Sequence, residues 1–269
     1  MAFLDTTGAQ LAYECHDSVS PWISLVHGGL VGSPSWRSQL PTKTNPNLTR
    51  AGSILCHDQR GYGASTGAGH GDFGVMADDV LRLWDHLSIE RAVLVGFSAG
   101  GFVALELAVR APERVAGLVL ESCGVPDEAL RKSFAERAAI GSVDFEAQVA
   151  EHVRRAFSAA FVESQPENIE EYTELARLVD PETFAATLRS IAEWQLLDAA
   201  QALTCPKLVV SGAQDAGLGP EAGRALCERL LNARQIVVRT AGHTVHYESA
   251  PSFNHIVTDF IDQSITELN

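Results

Sequence analysis

The feature that most constrains the fold is a short apolar run joined to a helical pattern by a glycine-rich turn. Residues 91–95 have the sequence RAVLV, residues 96–101 have GFSAGG, and residues 102–110 have FVALELAVR. A short run of branched apolar residues without polar alternation is typical of a strand buried on both faces of a parallel sheet. A helix that follows such a strand directly favours strand–helix units over hairpins.

The same alternation continues through most of the chain. Further strands are predicted at Leu11–Tyr13, Ile23–Val26, Ser53–Cys56, Val115–Leu120, Lys207–Val210 and Gln235–Val238. Helices are predicted at Val75–Leu87, Gly101–Arg110, Pro220–Leu231 and Pro251–Asp262. We therefore expect an α/β fold, with a mostly parallel, doubly wound sheet that carries helices on both faces.

One segment interrupts this alternation, because no convincing strand pattern occurs between about Val125 and Leu203. Helices are predicted there at Asp127–Ala139, Glu146–Phe161, Ile169–Val179 and Pro181–Ala200. The segment starts after one predicted core strand and ends just before the next. We expect residues 125–203 to form a helical cap, or lid, on a core made of residues 1–124 and 204–269. An independent domain is the alternative, but neither end of the segment has a flexible linker.

Composition limits the partners of the chain. With 34 acidic and 20 basic residues, the formal net charge is −14, and such a surface repels phosphate backbones and anionic lipid. We expect no nucleic acid and no membrane partner, and a homo-oligomer is compatible with the sequence. Five cysteines without a C-x-x-C pair favour reduced thiols. No apolar stretch approaches a membrane span, and the first residues lack a secretory pattern. The expected location is therefore the cytoplasm.

The candidate nucleophile is Ser98, within the pattern Gly96-Phe97-Ser98-Ala99-Gly100. In a G-x-S-x-G turn between a strand and a helix, the serine hydroxyl projects outward from a sharp bend. Side chains at the two glycine positions would collide in that bend. The backbone N–H of Ala99 would point towards a developing oxyanion. The alternative interpretation is a glycine-rich connection without catalytic function.

A serine nucleophile needs a general base and an acid that orients it. His243 follows the strand at 235–238, and Asp215 follows the strand at 207–210, so both are expected at the sheet edge of Ser98. Glu121, at the end of the strand at 115–120, is the competing acid. The histidines judged less well placed are His16, His57, His70, His86, His152 and His255.

The second oxyanion donor is expected in the loop His27-Gly28-Gly29-Leu30, where glycines let the backbone approach a ligand closely. We assign the N–H of Gly29, with Leu30 as the alternative, and interpret His27 as structural. The segment 58–65, DQRGYGAS, follows another strand. It lacks P-loop spacing and a following lysine, so a structural turn is favoured over a phosphate site.

Together these motifs resemble those of the α/β-hydrolase fold superfamily, nearly from end to end. The resemblance is to the branch with a helical cap, which includes esterases, lactonases and carbon–carbon bond hydrolases. His27-Gly28-Gly29 resembles the oxyanion loop of that family, 58–65 its D-x-R-G-x-G-x-S turn, and 96–101 its nucleophile elbow. Asp215 falls at the acid position, and Gly242-His243, followed by Glu248 and Pro251, is similar to the terminal histidine segment.

Departures from the family patterns argue against several of the activities found in this family. Dehalogenases and epoxide hydrolases of this family carry aspartate at the position of Ser98. Proline iminopeptidases have a different oxyanion loop. Ring-cleavage hydrolases have tryptophan at the position of Thr244. We expect acyl transfer to water from a small carboxylic ester or lactone, with no metal or organic cofactor. Cleavage of a carbon–carbon bond, transfer to another acceptor, or a ligand receptor with this fold are the alternatives.

The pocket that selects the substrate is less well specified by the sequence. Candidates close to the oxyanion loop, the cap and the histidine segment are Leu30, Trp36, Trp194 and His246. Arg189 is the arginine considered for a substrate carboxylate, although a solvated helix face explains it equally simply. The end of the segment 125–203, around Trp194, is loosely similar to that of enol-lactonases, which does not identify a substrate.

Overall fold

The computed structural model describes residues 1–16, 20–41, 47–67 and 71–265. Within them the chain forms a sheet of eight strands in the order β1-β2-β4-β3-β5-β6-β7-β8. The strands are β1 (Ala2–Thr6), β2 (Ala9–His16), β3 (Trp22–Val26), β4 (Ser53–His57), β5 (Ala92–Phe97), β6 (Val115–Glu121), β7 (Lys207–Gly212) and β8 (Ala233–Val238).

The pairing of the strands is parallel from β3 and β4 through to β8, whereas β1 and β2 are antiparallel to their neighbours. The predicted mostly parallel α/β sheet is confirmed. Strand β1 is not among the predictions. Its five residues are exposed or partly exposed, so it lacks the continuous apolar run of a buried strand.

Helices lie along the chain between the strands. They are α1 (Phe73–His86), α2 (Ala99–Arg110), α3 (Glu128–Ile140), α4 (Phe145–Ala156), α5 (Ala159–Ser164), α6 (Pro166–Arg177), α7 (Pro181–Glu193), α8 (Leu197–Ala200), α9 (Gly219–Arg229), α10 (Val245–Glu248) and α11 (Ala250–Ser264). Among the residues the structure describes, no helix is both long and apolar enough to cross a membrane.

The two faces of the sheet carry separate apolar clusters, as a doubly wound sheet requires. Leu94 of β5 packs in the cluster that contains side chains of α1, α2 and α9. Its neighbours Val93 and Val95 pack in the cluster that contains α11. Because successive side chains of a strand point to opposite faces, one apolar strand supplies both cores.

Helices α3 to α8 occupy the chain between β6 and β7, where the sequence predicts only helices. The predicted helix at Glu146–Phe161 is divided, since Phe157 is extended and Ser158 caps α5 by accepting a bond from the N–H of Phe161. The predicted helix at Pro181–Ala200 is divided likewise by an extended Trp194. That residues 125–203 act as a cap stays a prediction.

Candidate active site

The turn between β5 and α2 holds Ser98 in a backbone conformation that few residues adopt. Its φ is +51° and its ψ is −115°, a strained combination for a residue with a side chain. The Ser98 N–H donates to the carbonyl oxygen of Glu121, at the end of β6, over 2.8 Å. A Cβ on Gly96 or Gly100 would collide with backbone oxygens. The glycines therefore permit the tight bend that the sequence predicts.

A continuous hydrogen-bond chain joins three strand ends. The distance between Ser98 Oγ and His243 Nε2 is 3.0 Å, and that between His243 Nδ1 and Asp215 Oδ2 is 2.8 Å. His243 and Asp215 are each 8 % exposed. Because β5, β7 and β8 are parallel, their carboxyl ends meet at one sheet edge and bring the three side chains together.

The loop that carries His243 is held on both sides. Ser122 Oγ donates to the His243 carbonyl oxygen over 2.6 Å. The N–H of Gly242 donates to the Glu248 carboxylate, which also accepts from Ser158 of the segment 125–203. These bonds orient the imidazole before any ligand arrives.

Two backbone amides hold the Asp215 carboxylate. Its Oδ1 accepts from the N–H groups of Gly217 at 2.7 Å and Leu218 at 3.2 Å, which leaves Oδ2 for His243. The competing acid Glu121 instead accepts from the N–H and Nδ1 of His246, both at 2.9 Å. The geometry therefore favours Asp215 over Glu121 as the partner of His243.

The charge state of this pair follows from its surroundings. Burial disfavours the His243 imidazolium, but the neighbouring Asp215 carboxylate more than offsets it, so the pKa of His243 is raised. Burial likewise favours the protonated form of Asp215, but His243 and the two amides outweigh it and lower the pKa of that carboxyl group. Asp215 is therefore ionised at neutral pH and stabilises a positive charge on His243.

The pH dependence of activity should reflect this shift. The base must be neutral to accept the Ser98 proton, so activity falls as the pH falls through the raised pKa of His243. We expect kcat/KM for a neutral ester to reach half its plateau at a pH above 6.5, the ordinary value for histidine. A spectrophotometric assay of initial rates between pH 5 and 9 measures the pH at which kcat/KM is half its plateau. A half-maximum at or below pH 6.5 would contradict the assignment.

Gly29, Leu30 and Ala99 lie on the wall of the same cavity as Ser98. Tyr62 Oη donates to the Gly29 carbonyl oxygen over 3.1 Å and is also hydrogen-bonded to Thr187 Oγ1 at 2.8 Å. These bonds hold the loop after β3 against the helix α7. The assignment of the oxyanion donors to the N–H groups of Gly29 and Ala99 stays a prediction.

The cavity above Ser98 also exposes Asp215 and His243 on its wall. Most of the remaining wall is apolar and comes from α2, α3 and α7. These apolar side chains are Phe102, Leu130, Phe134, Phe184, Leu188 and Ile191. This part of the wall therefore suits contact with hydrocarbon groups of a small molecule.

Of the four predicted pocket residues, Leu30 lines this cavity and the other three lie elsewhere. Trp36 and His246 are fully buried beside each other, with ring centroids 4.2 Å apart. Trp194 packs against the ring of Phe102 at 5.1 Å, one layer behind the wall. Proximity to a motif in sequence does not determine the side on which a ring packs, which is why these three differ from the prediction.

Three ionisable side chains on the wall were not predicted from the sequence: Arg137, His152 and Arg155. The His152 ring lies 6.3 Å from that of His243, although the sequence ranks it among the poorly placed histidines. Arg189, the arginine considered instead, is exposed on α7 and does not line the cavity. Helical spacing alone could not separate Arg137 from Arg189. His70 lies outside the described residues.

The remaining motifs have structural contacts. The Asp58 carboxylate accepts from the N–H groups of Ser33 and Ala64, and His27 Nε2 accepts from the N–H of Gln59. In the part of the chain that the structure describes, no group of three or more His, Cys, Asp or Glu side chains could hold a metal ion.

Comparison with known proteins adds the family to this geometry. The family model described as alpha/beta hydrolase fold matches residues 21–250, most of the chain. The chain belongs to the α/β-hydrolase fold family. The resemblance seen in the sequence motifs is thereby confirmed, as is the fold they imply.

Several relatives of this α/β-hydrolase are enzymes. It is 28 % identical over 205 residues to 3-oxoadipate enol-lactonase 2 of Acinetobacter baylyi, with 76 % of each chain covered. A thermophilic esterase from Thermogutta terrifontis has a TM-score of 0.88 and 26 % identity, covering 98 % of this chain and 99 % of the other. The enol-lactonase from Burkholderia xenovorans LB400 has a TM-score of 0.87 and 26 % identity, covering 97 % and 100 %. The prediction of a hydrolase of the esterase and lactonase kind, acting on small molecules, is confirmed.

Proposed function

We propose that this α/β-hydrolase is a serine hydrolase that cleaves a small carboxylic ester or lactone through an acyl-enzyme. The observation that carries the proposal is the unbroken chain of hydrogen bonds from Ser98 Oγ through His243 to Asp215, at 3.0 and 2.8 Å. This chain ends in a cavity, so a bound carbonyl carbon would meet the hydroxyl directly. Nucleophile, base and orienting acid are the three parts that acyl transfer requires.

The first half-reaction follows from these contacts. Ser98 Oγ attacks the carbonyl carbon while His243 Nε2 accepts the hydroxyl proton, and Asp215 stabilises the imidazolium that forms. The backbone N–H groups of Gly29 and Ala99 hold the oxyanion, with the N-terminus of α2 adding favourable potential. His243 then donates its proton to the leaving alkoxide oxygen, and the acyl group remains on Ser98.

The second half-reaction uses the same groups with water. His243 accepts a proton from water as it attacks the acyl carbon, and the carboxylic acid leaves as Ser98 regains its proton. For a lactone the leaving oxygen stays in the same molecule, so hydrolysis yields one hydroxy acid. The proposal includes both classes because the named relatives are an esterase and enol-lactonases.

The segment 125–203 has a separate part in the proposal, as a cap that selects the substrate. Its helices α3, α4 and α7 supply most of the wall opposite Ser98. The N–H and hydroxyl of Thr244, next to His243, donate to the carbonyl oxygen of Ala156, which anchors the end of α4 at the site. The cap is thus attached to the loop that carries the base.

A turnover panel tests the proposal. We expect the purified protein to hydrolyse 4-nitrophenyl esters of short acyl chains and small lactones, with a burst of 4-nitrophenol when deacylation is slow. A fluorophosphonate should modify Ser98 and abolish both activities, as peptide mass analysis of the labelled protein would show. Ester and lactone turnover that persists after complete labelling would overturn the mechanism. Binding of these compounds without turnover would favour a receptor instead.

A further inference from the structure

Two guanidinium groups lie on the wall of the cavity that contains Ser98. Arg137 comes from the last turn of α3 and Arg155 from the last turn of α4. Both belong to the segment 125–203. Substrate walls in such a cavity are usually apolar with few polar groups, so each charge there requires a reason.

Arg137 forms no ion pair with any residue that the structure describes. Its guanidinium lies over the Phe184 ring, 5.8 Å from the centroid. Glu151, the acid whose field acts on Arg137, is held by two bonds of 2.8 Å from Arg154. Burial, followed by the field of Arg155, lowers the pKa of Arg137. The charged side chain is therefore partly desolvated without an ion-pair partner.

Arg155 is only partly compensated. Its Nε lies 3.7 Å from Glu151, whose oxygens are already bonded to Arg154, and its Nη2 donates to the Ala216 carbonyl oxygen over 3.3 Å. The latter bond places Arg155 beside the loop that carries Asp215. Arg155 therefore reinforces the positive charge on one side of the cavity.

The other titratable groups on the wall do not cancel this charge. Asp215 is committed to His243 and to two amides. Burial, His243 and Arg137 lower the pKa of His152 to about 3, so its imidazole is neutral near pH 7. The cavity thus keeps a local excess of positive charge in a chain whose net charge is −14.

We propose that Arg137, assisted by Arg155, binds an ionised carboxylate of the substrate while the ester or lactone carbonyl lies at Ser98. The enzyme then acts on compounds that carry a free acid group at the end away from the cleaved bond. A guanidinium presents paired donors that match the two oxygens of a carboxylate. The proposal deepens the proposed function and rests on it, because it assigns a substrate class to the same site.

A matched pair of substrates tests the inference. One is the half-ester of 4-nitrophenol with a six-carbon α,ω-dicarboxylic acid, and the other is 4-nitrophenyl hexanoate, which has the same chain length without the second acid. We expect the wild-type enzyme to show kcat/KM at least about tenfold higher for the half-ester, mainly through a lower KM. Added salt should reduce this preference, since it screens the attraction.

Substitutions show which residue causes the preference for the half-ester. Arg137→Gln should lower the ratio of the two kcat/KM values by about ten- to a hundredfold, as expected for loss of a charge-assisted hydrogen bond. Arg137→Lys should keep part of it. Arg189→Gln is the matched control, because it removes the same charge from an exposed residue of α7 that does not line the cavity. Its ratio should stay within about twofold of wild type.

The outcomes separate this inference from the proposed function. If the enzyme hydrolyses both esters equally, or Arg137→Gln keeps the preference, the carboxylate site is wrong and the serine mechanism stands. If neither ester is hydrolysed, the proposed function itself fails. If Arg137→Gln does not fold, the wild-type enzyme provides the test. Hydrolysis of the hexanoate ester is then measured with a five-carbon dicarboxylate or its monocarboxylate analogue as inhibitor. Equal inhibition by the two acids overturns the inference.

Discussion

Replacing Ser98 with alanine is expected to lower kcat for ester hydrolysis by about 10⁴-fold or more. The substitution removes the hydroxyl oxygen that attacks the carbonyl carbon in the proposed mechanism, while His243 and Asp215 stay in place. Loss of a serine nucleophile typically costs that much, and the residual rate comes from oxyanion stabilisation and binding. Initial rates with a 4-nitrophenyl ester at saturating concentration measure the effect.

Two further variants control for the unusual backbone of Ser98. Ser98→Gly should be as inactive as the alanine variant but more stable by about 1 kcal/mol, because glycine relieves the strain at positive φ. Ser88, an exposed residue with a φ of +56°, offers a match outside the site, and Ser88→Ala should keep full activity. Retention of more than about 1 % of kcat in Ser98→Ala would exclude Ser98 as the nucleophile.

Replacing Asp215 with asparagine is expected to lower kcat by about 10⁴-fold at neutral pH. The amide is nearly the same shape, so the bonds from Gly217 and Leu218 can remain. Its neutral group cannot stabilise the imidazolium, and it can present an N–H to Nδ1 and so favour the wrong tautomer of His243. Rates with the same ester across the pH range measure both effects. The fall in activity on the acid side of the pH profile should move to lower pH.

Glu121→Gln is the matched comparison for Asp215, since Glu121 is the competing acid. Its carboxylate bonds to His246 rather than to His243. We expect kcat to stay within about tenfold of wild type and the free energy of unfolding to fall by about 1–3 kcal/mol, because a buried charge-assisted interaction is weakened. Inactive Glu121→Gln together with active Asp215→Asn would reverse the assignment of the acid.

Parts of this fold could be predicted because burial of a strand on both faces requires a recognisable pattern of apolar residues. Strands β5 and β6 are buried on both faces and have continuous apolar runs. Strand β1 lies at the sheet edge and is largely exposed, so the same signal is absent. The division of the helix predicted at Glu146–Phe161 depends on the turn at Phe157, where helical periodicity continues although the backbone does not.

The sequence alone predicted that Ser98, Asp215 and His243 lie at one edge of the sheet. Each follows a strand of a parallel sheet, and the carboxyl ends of such strands share one edge. Local rules are sufficient there, because strand ends and glycine turns determine where a side chain emerges. The choice between Asp215 and Glu121 required the distances, since both follow strands.

Only the tertiary structure decided which side chains face the nucleophile from the segment 125–203. Arg137 and Arg189 both lie on helices of this segment, yet Arg137 lines the cavity and Arg189 is exposed. The packing of α3 against α7 and of α4 against α6 sets this, and it depends on contacts between residues far apart in the chain. Helical periodicity shows which residues share a face of a helix, but not which element that face packs against. The positions of Ser98, Asp215 and His243 instead follow from the ends of the strands that precede them. The sequence therefore determined where the candidate reacting groups lie, and the packing of distant helices decided which side chains surround them.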